Sequence, residues 1–85
     1  MTLEYHPLQR EFPEFQAELR ALQGRDAHFA RLAADYEALD KRIYLVEDGR
    51  EALDAEGLQE LKNERVTLNV EIARQLQLAA KGPDA

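Results

Sequence analysis

The sequence predicts an all-α protein: an antiparallel helical hairpin of coiled-coil type with a short helix in front of it. Three observations carry that reading. Phe29, Leu32, Tyr36, Leu39, Ile43 and Val46 recur at steps of three and four. That spacing lines one side of an α-helix with a narrow apolar seam, whereas a strand needs a period of two. Leu58, Leu61, Arg65, Leu68 and Ile72, continuing to Gln75 or Leu76, repeat the spacing with Arg65 and Gln75 as interruptions. Between the two seams runs an acidic stretch, Glu47 to Glu56, whose only large apolar residue is Leu53 and which contains Asp48-Gly49, a helix-stop and turn signal. A chain that doubles back there brings its two seams face to face.

The elements follow in order along one small domain spanning 1–85. Residues 1–11 show no clear period and contain Pro7, so they read as a frayed or extended lead-in. Pro13 suits the first turn of a helix, where a missing N–H costs nothing, and Glu14 complements the positive end of the helix dipole. With Phe15, Leu19 and Leu22 at steps of four and three, this predicts a short amphipathic helix over 13–23, Phe12 folding against its start and Gly24 forming a left-handed C-terminal cap. Asp26 is placed as the N-cap of a long helix over 26–47. A tip loop over 48–54 follows, then a second long helix over 55–80 with Asp54 as its N-cap and Glu56 in its first turn. Residues 81–85 read as a loose tail. Matching layers about the turn sets Val46 near Leu58, Ile43 near Leu61, Tyr36 near Leu68 and Leu32 near Ile72. Arg65 then lies beside Leu39, its stem covering apolar surface and its guanidinium reaching Asp35 or Asp40.

Composition narrows the functions. Seventeen acids against 11 bases give a net charge of -6, and no cluster of Lys and Arg is present. Phosphate backbones and anionic membranes are bound by such clusters, so neither nucleic acid nor a membrane surface is an expected partner. The absence of cysteine removes disulfides, thiolate metal sites and cysteine nucleophiles, and suits a reducing cytoplasm. Residues 1–10 lack a basic start followed by an apolar core, and no apolar run approaches the roughly 20 residues of a membrane span, so a cytoplasmic protein without a signal peptide is expected.

Chemistry-bearing motifs are equally sparse. His6 and His28 are the only imidazoles and share no His-x-x-x-His spacing, so no metal site is expected. The acidic tip lacks the alternating oxygen ligands around a central glycine that a calcium loop requires. Serine is absent, which excludes a serine triad, and Gly24, Gly49, Gly57 and Gly82 are isolated rather than gathered into a phosphate loop. Paired catalytic carboxylates need a pocket that desolvates one of them, for which two or three helices leave little room. No enzyme, no cofactor and no small-molecule substrate is therefore expected.

A two-helix hairpin is marginal in isolation and needs further burial. The chain carries apolar residues off its seams: Val66, Val70 and Ala73 on the last helix, and Tyr44 and Leu45 on the first long one. Either the short N-terminal helix or a second copy of the chain covers them. The expected function is a helical protein-interaction module of unknown process. It self-associates or binds a protein partner through Tyr44, Leu45, Val66 and Val70, and weak self-association is favoured because three of these lie nearer the tip than a short helix conveniently reaches. The alternative is an acidic decoy that mimics nucleic acid and occupies a basic protein.

Taken together, His6-Pro7-Leu8, Glu11-Phe12-Pro13-Glu14, Leu22, Asp26-Ala27-His28-Phe29-Ala30-Arg31-Leu32, Tyr36, Leu39-Asp40, Ile43, Glu47, Leu58, Leu61-Lys62, Arg65, Leu68 and Glu71-Ile72 resemble the YdcH-like family of small bacterial proteins. The resemblance runs from His6 to about Leu76. Many such proteins carry Leu-Lys-Asp-Glu-Ile where this chain has Leu68-Asn69-Val70-Glu71-Ile72. The resemblance implies a bacterial cytoplasmic protein with this same hairpin architecture, and no activity, because the family is of uncharacterised function. His28 matches a recurrent family position and joins the candidate protein-binding residues.

Overall fold

A computed structural model describes residues 7–82. The expected lead-in at residues 1–6, including His6, and the tail at 83–85 lie outside the described residues. The elements are α1 (Pro7–Glu11), a 3₁₀ turn (Pro13–Phe15), α2 (Gln16–Arg25), α3 (Ala27–Glu47) and α4 (Ala55–Lys81), with no strand among the described residues. The all-α hairpin with a short N-terminal helix is thus the observed architecture, the two long helices packing against each other and α2 against both.

Two local expectations change. Residues 7–11 form helix α1 rather than an extended lead-in. Pro7 occupies the first helical position, where it needs no N–H, and both Pro7 and Leu8 are buried, so tertiary packing stabilises a turn too short to show a period. Phe12 then breaks the helix: preceding Pro13, it is driven out of the α region (φ -126°, ψ 65°), and its N–H bonds the Leu8 carbonyl at 2.9 Å. Gly24 does not cap the short helix either. It lies inside α2, which runs on to Arg25 and ends at extended Asp26, whose N–H bonds the Leu22 carbonyl at 2.9 Å. Asp26 also opens α3, its Oδ1 accepting the Phe29 N–H at 3.1 Å. One residue therefore serves as the whole joint between two helices.

The tip follows its residues closely. Gly49 takes a positive φ of 81°, its N–H bonding Val46 O at 3.1 Å while the Arg50 N–H bonds Leu45 O at 2.9 Å. This pair of bonds is the Schellman motif, which needs a left-handed residue where Gly49 stands. Asp54 caps α4, its Oδ1 accepting the Gly57 N–H at 2.7 Å. Arg42 Nε reaches Glu51 at 2.8 Å, tying the loop back onto α3.

The core lies at the base of the hairpin. Leu8, Phe12, Leu19, Leu22, Phe29, Ala33, Tyr36, Ile72 and Leu76 form one buried cluster with Leu32, Leu68 and Ala73 packed against it. The N-terminal segment therefore packs on its own hairpin. Toward the tip, Ile43 and Leu61 are buried outside that cluster. Bonds across the seam set the register: Tyr36 to Asn69, Arg65 Nη1 to Asp40 Oδ1 at 2.7 Å, and Lys62 Nζ to Glu47 Oε2 at 2.7 Å. Continuing it brings Ile43 level with Leu61, as the sequence predicts, and of the two acids predicted within reach of Arg65 it is Asp40 that is bonded.

Candidate functional site

An apolar side chain outside a helical seam remains in water unless another element covers it, so the residues that stay exposed after the N-terminal segment has packed are the candidates. Val66 and Val70 are 60% and 62% exposed, and Tyr44 is 59% exposed. One turn apart on α4, the two valines share a face of that helix. Leu45 is half-buried, and His28 is exposed in the first turn of α3, at the end of the hairpin opposite the tip.

These residues do not form one patch. Tyr44 and Leu45 share a shallow cleft with Arg10, Asp40, Lys41 and Arg50. Val66 borders a second, lined by Glu11, Tyr36, Asp40, Arg65 and Asn69. Asp40 belongs to both, so its ion pair with Arg65 stands between the tyrosine and the valines. His28 lines neither cleft, and its influence falls on Glu71 of α4. The Glu71 carboxyl is held below its usual range first by the hydrogen bond from Arg74, then by that from Gln75, with the His28 charge a smaller contribution.

The cleft beside Val66 is polar where it meets the core. Burial pushes the Tyr36 phenol above the usual tyrosine range, the charges of Glu11 and Asp40 push the same way, and the hydrogen bond to Asn69 together with the Arg65 charge opposes them. The Tyr36 phenol and the Asp40–Arg65 ion pair together floor this cleft. Among the described residues no group of His, Asp or Glu is placed to hold a metal ion, and no helix is long and apolar enough to cross a membrane.

Sequence reasoning missed a third surface. On the other flank of the hairpin, Asp35, Ala38, Leu39 and Arg42 of α3 face Glu64, Thr67 and Leu68 of α4 across an open groove. Leu39 and Leu68 are seam residues, and the seam pattern treats them as interior. Both are only half-buried, because two helices alone leave one side of their seam uncovered.

A family model described as a protein of unknown function (DUF465) matches residues 29–76, from α3 through the tip to α4. No curated protein and no solved structure matches the chain.

Proposed function

We propose that this chain, which belongs to the DUF465 family of proteins of unknown function, is a helical interaction module rather than an enzyme, holding a protein partner against the Val66 and Val70 face of α4. The exposure of those two valines, inside the segment that the family model matches, carries the reading. Two branched apolar residues one turn apart on a helix are the kind of anchor that a partner helix or groove covers. Glu11 and the Asp40–Arg65 pair beside Val66 supply a charged rim. The segments quoted above further support a YdcH-like assignment, and with it a bacterial cytoplasmic setting. An acidic decoy draws less support, since Glu47, Asp48 and Glu51 at the tip are bonded to Lys62, Arg50 and Arg42 within the chain.

The test is capture from a lysate of the source cell on immobilised wild type, followed by titration of the captured protein against a Val66→Asp/Val70→Asp variant. Burial of two such side chains is worth enough for the variant to weaken binding at least about tenfold, with helix content by circular dichroism unchanged. Equal binding by both proteins refutes the assignment of this face.

A further inference from the structure

We infer that the groove on the opposite flank of the hairpin is closed by a second copy of this chain, forming a two-fold symmetric four-helix bundle. The two walls differ in charge. At the end nearer the tip the α3 wall presents Arg42 and the α4 wall presents Glu64, and the register set by Asp40–Arg65 and Tyr36–Asn69 puts these two at the same level. A two-fold axis running along the groove lays α3 of each copy on α4 of the other and keeps every residue at its own level. Arg42 of each copy then meets Glu64 of the other, twice per dimer.

The rest of the groove fits the same rotation. By the same register Asp35 of each copy comes level with Glu71 of the other, and each of these acids keeps a cation of its own helix beside it, Arg31 for Asp35 and Arg74 for Glu71. Ala38 leaves room for close approach, and the half-buried Leu39 and Leu68 of both copies form a shared apolar centre. Arg42 holds Glu51 through Nε, which leaves its terminal nitrogens as donors. No residue of α1 or α2 lines this groove among the described residues, so docking of a second copy displaces nothing. The surface is separate from the Val66 and Val70 face.

Sedimentation velocity at tens of micromolar in low salt tests the proposal. Wild type sediments as a dimer. Glu64→Arg and Arg42→Glu each place two like-charge contacts in the interface and weaken the dimer at least about tenfold. An equimolar mixture of the two variants pairs Arg with Glu at both places and recovers the dimer, which a repair within one chain does not do. Ala38→Arg, at an exposed helix position with no internal bond to lose, blocks docking by bulk, and Val70→Glu leaves the dimer intact. A monomeric wild type, a mixture no more dimeric than its components, or a dimer lost with Val70→Glu but kept with Ala38→Arg overturns it. Only the last of these outcomes bears on the Val66 and Val70 face, so the two assignments fail separately.

Discussion

Tyr36 shows how much one side chain carries. Its ring belongs to the base core, while its hydroxyl bonds Asn69 on the other long helix, so it packs and sets register at once. Burial raises its pKa, and a tyrosine that ionises less readily when folded is stabilising below the pKa of the unfolded chain. That contribution is lost as pH rises from the unfolded pKa through the higher folded one, because the unfolded chain then binds fewer protons. Urea denaturation of wild type is expected to show stability falling from about pH 10 upward, and Tyr36→Phe is expected to flatten that alkaline decline. A variant whose stability falls as steeply as wild type shows that other groups govern this limb.

At the scale of the element, the helix ends matter more than the helix interiors. Asp26, Gly49 and Asp54 stop and start the helices through backbone bonds that the residue types themselves favour. Gly24 and Gly49 look alike in sequence and differ in structure. Gly24 sits within α2 with nothing within 4 Å of where a Cβ would lie. Gly24→Ala is therefore expected to raise stability by about 0.5–1 kcal/mol through helix propensity and a less flexible unfolded chain. Gly49 also faces open space, but its φ is 81°, so Gly49→Ala is expected to cost about 1–2 kcal/mol. Thermal or urea denaturation of both variants checks the pair, and equal signs refute the distinction.

The molecule as a whole is held at its base, where four segments converge, and is narrower in structural support toward its tip. Leu8 is 2% exposed although its helix has only five residues. It joins Phe12, Phe29 and Ile72 in one cluster, so the N-terminal segment is a part of the folding unit rather than an appendage. Leu8→Ala is expected to cost about 2–4 kcal/mol, read as a lowered denaturation midpoint with a single transition. A midpoint within error of wild type shows instead that α1 is dispensable. The same convergence leaves the other flank of the hairpin open, with no residue of α1 or α2 along its groove among the described residues.

The sequence alone determined the short helix ahead of the hairpin, the two long helices with their seams, and the turn between them. Seam spacing, Asp caps and Asp48-Gly49 are local signals, each read over a few residues and each agreeing with its neighbours. Only the tertiary structure decided that residues 7–11 are helical, that Gly24 is interior, and which flank of the hairpin the N-terminal segment covers. Those outcomes rest on contacts between residues far apart in the chain, such as Leu8 with the core of the long helices. The same holds for the candidate surfaces. The pattern identified Val66, Val70 and Tyr44 as lying off the seam, but only the folded arrangement put Asp40–Arg65 between them and left Leu39 and Leu68 half open. Periodicity states which side of a helix is apolar. What covers that side depends on how the helices meet.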